Sequence, residues 1–276
     1  MTPAELPPNV AIKVLRDGYS RVGGTIRRAL PTLAHDGMWT PGAWESDDGT
    51  WARSPVEWHV TVHPAQWWTD DPHVVAYLAE HTGAVEAVSD GFRVARMRLW
   101  RPLDAAELAA FGIYTTGMHD AAGLAHVWVG GDAVVRVSGT TEAHALGRAT
   151  VIAMDNARVH AKDAVVVVAR GDSVVEARGS AVVQVRDRAV VRAKGYAVVQ
   201  FHGSGRVHVA DNAVATGSGL DAITRDGEAL IVDYHAAPDF ERVVVHRKGH
   251  GLDGWRHTGD AWRDFAGVRA QRRPRR

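Results

Sequence analysis

Apolar and polar residues repeat every eight positions between Gly131 and Ser218, where the chain divides into eleven octads without a gap. The first position of each octad is Gly or Asp, and the third, fifth and seventh positions carry small or apolar residues. A fixed period of this kind indicates units that cannot bury their own apolar face and must stack on their neighbours. The pattern therefore predicts a repeat architecture for this part of the chain.

Each octad predicts one short strand followed by one tight turn. Alternation by two is the period of a strand, and the same residues would be scattered around the surface of a helix. The Gly or Asp at the first position provides the turn, because Gly accepts a positive φ and Asp caps a bend with its side chain. We therefore expect a stack of parallel strands and no helix in this region.

The strands can close a coil with two octads or with three. If residues sixteen positions apart are paired, side chains of the same type are aligned, such as Gln184 with Gln200. Parallel in-register stacking favours such an alignment. The many alanines at position seven also fit a narrow interior. A period of twenty-four, which aligns Asp163, Asp187 and Asp211, keeps a three-strand coil open. The predicted fold class is mainly β: a parallel β-solenoid with two strands per sixteen-residue coil, after a small N-terminal α+β domain.

The outward positions of alternate octads predict one apolar face. An exposed apolar patch of several coils is expected to be covered. The cover is either the C-terminal segment Asp239 to Ala270, or the Trp-rich N-terminal domain, or the same face of a second chain in a homodimer. The predicted interaction face consists of Val134, Thr150, Ile152, Val166, Val168, Val182, Val198 and Val214.

The other octads predict a polar face. Its two outward columns are Glu142, Arg158, Val174, Val190, Arg206 and His144, His160, Glu176, Arg192, His208. His144 and His160 are sixteen apart and would stack in a two-strand coil, with Glu176 as a third neighbour. Two imidazoles with one carboxylate make a weak ligand set, so we predict no metal site.

Position eight places basic residues at the coil edges, where like charges would stack near the strand spacing. They either bind a polyanion such as nucleic acid or extend into water and prevent aggregation of the rod, and the second interpretation is favoured. This predicted basic edge consists of Lys162, Arg170, Arg178, Arg186 and Lys194.

The first 112 residues have a different pattern and predict a compact α+β domain. Strands are expected at residues 11–16, 58–63 and 93–100, because these segments alternate by two and end at Asp-Gly or Pro. A helix is expected from Asp71-Pro72 to about His81, and a second begins at Asp104, which forms a capping box with Glu107. The predicted domains are residues 1–112, the solenoid at 123–234, and a C-terminal capping segment with a basic tail at 235–276.

Five short motifs of this domain occur in a characteristic order. They are Ile12-Lys13-Val14, Gly23-Gly24, Trp58-His59 with His63-Pro64, Val85-Glu86-Ala87, and Arg96 to Leu99. In this order they resemble an uncharacterised N-terminal domain of phage and actinobacterial proteins that precedes Ala/Gly-rich solenoid repeats. The resemblance covers about the first 105 residues. Where that domain usually has Cys, this chain has Thr61, so a role for a thiol does not carry over.

The same domain is faintly similar to ADP-ribosyltransferase-like folds, which use NAD. That similarity implies that Arg16 or His59 anchors the dinucleotide and that Glu86 stabilises the developing oxocarbenium. The simpler interpretation is that His59 satisfies a hydrogen bond in the core and that Glu86 is a surface strand residue. Motifs for other enzyme classes, such as the P-loop and HExxH, are absent from the sequence.

Composition narrows the function further. The chain has 276 residues, a net charge of zero and no Cys, which excludes disulfides and thiolate chemistry. Its start, MTPAELPPNV, lacks the basic and apolar regions of a signal peptide, and no apolar run is long enough to span a bilayer. We expect a cytoplasmic structural or interaction protein that binds protein, possesses no cofactor and does not bind membranes.

Overall fold

The computed structural model describes residues 5–20, 25–46, 58–69, 71, 73–88, 91–217, 222–234 and 243–246. The chain divides into two compact units. The N-terminal unit comprises Met1–Gly117 and His126–Gly130, and the solenoid unit comprises Met118–Ala125 and Gly131–Arg276. Each unit has its own sheets, and they are described separately below.

Short strands and one long hairpin form the N-terminal unit. Its first nine strands are β1 (Val10–Arg16), β2 (Tyr19–Ser20), β3 (Thr32–Leu33), β4 (Trp39–Thr40), β5 (Glu45–Ser46), β6 (His59–Val60), β7 (Val74–Val88), β8 (Gly91–Pro102) and β9 (Ile113–Tyr114). A 3-10 turn covers Pro64–Gln66, and helix α1 covers Ala105–Ala110. Strand β10 (Met118–Asp120) belongs to the solenoid unit, whereas β11 (His126–Val129) belongs to the N-terminal unit and pairs in parallel with β9.

The main sheet of the N-terminal unit closes on itself. Its order is β2-β1-β7-β8-β5, and β6 pairs with β8 on the far side. Beyond the end of β6, Thr61 bridges back to Ile12 of β1 through two backbone hydrogen bonds of 2.8 and 2.9 Å. Strand β1 is consequently buried on both faces: Ala11 and Leu15 face a core with Trp58 and Val60, and the alternate residues face a second core with Phe111.

The helix predicted over residues 71–81 is wrong, because most of this segment forms the first half of β7. The apolar residues Val74, Ala76 and Leu78 alternate and are buried in one core, which is the period of a strand. Pairing with β1 on one side and β8 on the other satisfies the backbone of this segment, and that non-local pairing outweighs the local helix signal. Gly83, expected to end the helix, has φ of +85° and lies where the β7–β8 register shifts.

The second predicted helix is confirmed, including its cap. The Asp104 side chain accepts a hydrogen bond from Glu107 N at 2.8 Å, and the Glu107 carboxylate accepts one from Asp104 N at 3.1 Å. Arg101 donates to both carboxylate oxygens of Glu107 at 2.6 Å. These hydrogen bonds, chiefly that from Arg101, lower the pKa of Glu107. The cap is therefore joined to β8 by a charged pair.

The strands of the solenoid unit recur every eight residues along the repeat. They are β12 (Val134–Val137), β13 (Glu142–Ala145), β14 (Thr150–Ala153), β15 (Arg158–Ala161), β16 (Val166–Ala169), β17 (Val174–Ala177), β18 (Val182–Val185), β19 (Val190–Ala193), β20 (Val198–Phe201), β21 (Arg206–Val209), β22 (Val214–Gly217), β23 (Ile223–Arg225), β24 (Leu230–Tyr234) and β25 (Val243–His246). The last strand, β25, pairs antiparallel with β24.

Alternate strands form two parallel sheets, which confirms the solenoid of two strands per coil. The even sheet has the order β10-β12-β14-β16-β18-β20-β22-β24-β25, and in this unit the odd sheet contains β13, β15, β17, β19, β21 and β23. Each residue pairs with the residue sixteen positions later, as Thr150 does with Val166. The three-strand coil is excluded by this register. The octad from Gly227 to Tyr234, GEALIVDY, continues the even sheet, since β24 pairs in parallel with β22.

Small apolar side chains fill the interior between the two sheets. Positions three, five and seven are buried throughout the repeat, mostly by Ala and Val with no exposed surface. Phe201 is the largest of these side chains, and its partner in the next coil is Gly217. A Cβ added at Gly217 would lie 2.2 Å from the Phe201 carbonyl oxygen, so a large residue here requires a small neighbour.

The first position of the octad forms a ladder of Gly and Asp at the turns. Asp155, Asp163, Asp187 and Asp211 have positive φ, as do most of the glycines at this position. The Asp187 carboxylate accepts a hydrogen bond from Gly171 N, one coil earlier, at 3.1 Å. A Cβ at Gly171 would in turn lie 2.9 Å from the amide nitrogen of Asp155. An Asp that lies one coil after a Gly therefore accepts a hydrogen bond from the backbone amide of that Gly. Two larger residues stacked at this position would collide.

Candidate interaction surfaces of the solenoid

The predicted apolar residues lie together on the outer surface of the even sheet. Their backbones pair in register from coil to coil, and all of them are half-buried. We call this surface the even face; it consists of the eight predicted residues, Val134, Thr150, Ile152, Val166, Val168, Val182, Val198 and Val214, together with Gln184, Gln200 and Thr216. The structure thus brings every predicted residue of the interaction face into one continuous surface.

The two ends of the even face differ. At one end, the exposed Arg136 side chain pairs with Asp120 of β10, with Nε 2.9 Å from Oδ2. At the other end, Leu230 and Val232 occupy the same outward positions on β24 and are only 9% and 4% exposed. The face is therefore closed by a charged pair at its start and is covered within the chain at its last coil. The octad pattern at Gly227 contained the signal for this extension.

The outer surface of the odd sheet carries charge, as predicted. His144 and His160 stack with ring centroids 5.0 Å apart and an angle of 17° between the rings. Glu142 Oε1 lies 3.1 Å from His160 Nε2 and 3.5 Å from His144 Nε2, and Glu176 Oε2 lies 3.5 Å from His160 Nδ1. Farther along, His208 Nδ1 lies 3.0 Å from the Thr224 hydroxyl. These groups form a ladder of hydrogen bonds and ion pairs across successive coils.

The described part of the chain contains no group of three or more His, Asp or Glu side chains arranged to hold a metal ion. The stacked imidazoles are instead paired with the neighbouring carboxylates. None of the helices in the described ranges is long and apolar enough to cross a membrane.

The predicted basic edge is distributed over two corners of the coil. Lys162, Arg178 and Lys194 follow strands of the odd sheet, and Arg170 and Arg186 follow strands of the even sheet. All five side chains are exposed. Successive residues at position eight lie on alternate corners, because each coil passes through both sheets. The cations therefore stack once per coil on each corner, at a strand spacing of about 4.8 Å.

The corner after the even sheet has balanced charge. Arg188 binds both carboxylate oxygens of Asp172 in the preceding coil, with Nη2 2.6 Å from Oδ2. Asp155 and Asp187 lie at the first position of the same turns. Three cations, Arg170, Arg186 and Arg188, are thus accompanied by three carboxylates.

The structure places Arg16 apart from the other two candidates, whereas His59 and Glu86 both pair with Arg93 of β8, from opposite sides, and so lie two strand spacings apart, or about 10 Å. Arg16 is opposite Val74 at the start of β7, and Glu86 lies twelve residues farther along that strand, or about 40 Å at ~3.4 Å per residue. The Arg16 side chain is exposed and pairs with Asp71 Oδ2 at 2.8 Å. Glu86 is also exposed and pairs with Arg93 across the hairpin at 3.3 Å.

His59 is the partly buried member of this set. Its ring packs against Trp67, with centroids 4.8 Å apart, and its backbone carbonyl accepts a hydrogen bond from Lys13 Nζ at 2.8 Å. Both contacts lie within the core of the N-terminal unit. The His59 ring therefore borders the core of the N-terminal unit, and the hydrogen bond from Lys13 is made to its backbone.

The sequence analysis missed the buried charges of the N-terminal unit. Lys13 is 3% exposed and Arg28 is 4% exposed. The Arg28 guanidinium lies 2.6 Å from Glu45 Oε2 and 4.5 Å above the Trp58 ring. The position of Lys13 between Ala11 and Leu15 in an alternating strand was the available signal for its burial. The partners of Arg28 are distant in sequence and gave no such signal.

Comparison of this chain with protein-family models, with curated proteins and with solved structures finds no match.

Proposed function

We propose that this chain is a structural and interaction protein whose solenoid acts as a stiff rod and pairs with a second copy through the even face. The supporting observation is the continuous, uncharged even face on a rod whose other outer face is charged. At the fourth and sixth octad positions from Thr150 to Thr216, its residues are all Val, Ile, Thr or Gln, and the charged Arg170 and Arg186 lie at the adjoining corner. In this role the rod carries the N-terminal unit and brings two of them into one assembly.

The stiffness of the rod follows from its backbone bonding. Every strand from β14 to β20 pairs over four residues with a strand on each side. The turns add bonds between coils, such as Asp172 N to Asp155 O at 2.8 Å. Bending the rod would break several of these bonds at once, because neighbouring coils share one register. A repeat array of this type holds its ends at a fixed separation.

A second copy is the partner that best fits the even face. From β14 to β22 the fourth and sixth octad positions of the face carry no charged side chain, so an identical face related by a two-fold axis meets no charge repulsion there. Gln184 and Gln200 lie near its middle, where their amide groups can donate and accept across the axis. An apolar surface spanning several coils also gains from removal from water.

The area of the face predicts weak pairing. Five strand spacings of about 4.8 Å by four residues of ~3.3 Å give roughly 300 Å² per copy, or about 600 Å² in total. Stable interfaces bury more than ~1,000 Å², so the pair should dissociate on dilution. The C-terminal segment Asp239 to Ala270, which lies mostly outside the described residues, is the competing cover.

The test is the oligomeric state of two matched variants. Val182→Lys introduces a charge at the fourth octad position, the first residue of β18, on the even face, and Val190→Lys makes the same change at the fourth octad position, the first residue of β19, on the odd sheet. We expect sedimentation analysis to show a concentration-dependent dimer for the wild type and Val190→Lys, and a monomer for Val182→Lys. Circular dichroism establishes that both variants are folded.

The opposite outcomes would overturn the proposal. A wild-type chain that stays monomeric at all concentrations would show that the even face is covered within the chain. A Val182→Lys variant that is folded and still dimeric would place the contact elsewhere.

The NAD-using enzyme considered above is not proposed, because Arg16 and Glu86 lie at opposite ends of β7 and both are engaged in exposed ion pairs.

A further inference from the structure

Six exposed cations lie on one side of the solenoid, around four successive strands of the odd sheet. They occupy the fourth, sixth and eighth positions of the octads that contain β15, β17, β19 and β21, which are the outward positions of the alternation. We call this surface the basic strip; it consists of Arg158, Lys162, Arg178, Arg192, Lys194 and Arg206. Three spacings of about 4.8 Å give it a length of roughly 14 Å along the rod.

The basic strip carries a large excess of positive charge. Glu176 is the one carboxylate among its outward positions, and it lies 4.0 Å from both Arg178 and Arg192. Within the residues that the structure describes, Arg158, Lys162, Lys194 and Arg206 form no ion pair. Adding the turn carboxylates Asp163 and Asp211 to Glu176 gives three anions against six cations. The strip therefore retains a charge of about +3 on a chain whose net charge is zero.

Solubility alone does not account for this excess. Cations that protect a sheet edge from aggregation work equally well when carboxylates accompany them. On the even side of the same coils, with outer face and corner counted together, three cations are matched by three carboxylates, and Arg188 is tied to Asp172. Counted in the same way, the odd side has six cations and three carboxylates, so the two sides of the coil differ in charge balance. The difference points to a ligand that is negatively charged along its length.

We propose that the basic strip binds the phosphate backbone of duplex nucleic acid without reading its sequence. A B-form duplex carries one phosphate per ~1.7 Å of axis with both strands counted, so a length of about 14 Å contains roughly eight phosphates around its circumference. Three aromatic side chains, His160, His208 and the 70% exposed Tyr196, lie among the six cations, so phosphate contacts outnumber sites for base stacking, which favours the duplex over a single strand. The surface lies on the sheet opposite the even face, so it is independent of the proposed pairing of copies.

The test measures the binding of the full chain to a fluorescent DNA duplex of about 20 base pairs as the salt concentration is varied. If all six cations contact phosphates, the slope of log K against log salt is about −5, and affinity falls roughly 1,000-fold between 50 and 200 mM salt. The variant Arg178→Ser with Lys194→Ser removes two contacts. We expect it to reduce the slope by about 2 and weaken binding about 60-fold at 0.1 M salt.

The matched control is Arg170→Ser with Arg186→Ser, which removes the same charge from the eighth position of octads on the other corner. We expect its affinity to stay within about twofold of the wild type. A third variant replaces the four arginines of the terminal sequence QRRPRR with Ser, since this segment, outside the described residues, is also basic.

Each contrary result would overturn the proposal. Equal losses in the two double variants would show that net charge alone drives binding. If the tail variant loses affinity for the duplex and the double variant Arg178→Ser with Lys194→Ser does not, the terminal arginines are the binding site. A wild-type chain that does not bind the duplex at low salt, or that prefers a single strand of the same length, would exclude the duplex as the ligand.

Discussion

The two units of this chain bury different kinds of side chain. In the described part of the solenoid unit, the buried residues are apolar apart from Thr141 and Ser173, and most of them are Ala or Val. The N-terminal unit instead buries Lys13, Arg28, His81 and Glu107. One interior is sensitive to volume and indifferent to pH, and the other depends on individual charged groups and their partners.

Repetition explains the difference. Inside a solenoid, each side chain stacks on a near-identical position of the next coil, so a buried charge would meet another coil at about 4.8 Å with no room for a partner. The N-terminal unit has no repeat, and each buried charge there has a partner of its own, as Arg28 has Glu45. Charge substitutions should therefore act on the N-terminal unit and volume substitutions on the solenoid.

The largest effect is expected from Arg28→Met. The Arg28 side chain is 1% exposed and pairs with Glu45, which is 22% exposed and also accepts a hydrogen bond from Ala29 N at 2.6 Å. Removing the cation leaves a partly buried carboxylate and should lower the free energy of unfolding by about 3 kcal/mol. The measurement is denaturant unfolding, with hydrogen exchange to show that the loss is confined to the N-terminal unit.

The control for this variant is Arg98→Met. Arg98 also pairs with a glutamate, Glu80, at 2.6 Å and also lies over a tryptophan, Trp44, but it is 31% exposed. Its removal should cost less than about 1 kcal/mol. Equal losses in Arg28→Met and Arg98→Met would contradict the importance assigned to burial.

A smaller loss is expected from Ala169→Leu in the solenoid. Ala169 is the last residue of β16 and occupies the seventh position of its octad. It is fully buried and is stacked between Ala153 and Val185. Leu adds three carbon atoms to the interior between the two sheets, which has no space for them. The substitution should therefore lower the free energy of unfolding by about 2 kcal/mol. Ala164→Leu, at an exposed turn position of the same octad, is the control and should be close to neutral. Unchanged protection of residues 150–190 in hydrogen exchange would show that the bore is wider than described.

The smallest effect concerns pH and His81. Burial lowers the pKa of His81 below its usual value of 6.5, and its ring packs against Phe92 with centroids 5.4 Å apart. Since the unfolded chain binds the proton more readily, stability is complete above about pH 6.5 and decreases as the pH falls toward the lower folded pKa. His81→Leu should flatten this decrease in the N-terminal unit. His35→Leu, which replaces an exposed histidine, should leave the decrease in stability at low pH unchanged. If the decrease persists in His81→Leu, other groups cause it.

The solenoid could be predicted closely from the sequence because its contacts are periodic. The pairing of Val182 with Val198 is a spacing of sixteen, and every other pairing of the repeat is the same spacing. The outward columns, the turn positions and the narrow bore then follow without knowledge of any distant residue. The polar columns of the odd sheet, with Arg192, were predicted from the sequence, but the charge balance of the two sides of the coil was not, because the cations at position eight, such as Lys194, were treated as one edge.

The N-terminal unit was predicted less well because its contacts are non-local. The segment from Val74 to His81 has both a helix start signal and strand alternation, and its pairing with β1 and β8 decides between them. The capped helix at Asp104 was predicted correctly because the capping box is local to four residues. The closure of the sheet through Ile12 and Thr61, and the pairing of Arg28 with Glu45, join segments whose association no local pattern indicates.

The register of sixteen residues also restricts how the length of the rod can change. Inserting or deleting one whole coil preserves the sheet of every later strand and alters the length by about 4.8 Å. Deleting a single octad would instead transfer all later strands to the opposite sheet; without the octad of β19, for example, Val198 would stack on Val174 and Gln200 on Glu176. Viable length variants of this rod should therefore differ by multiples of sixteen residues and not by eight.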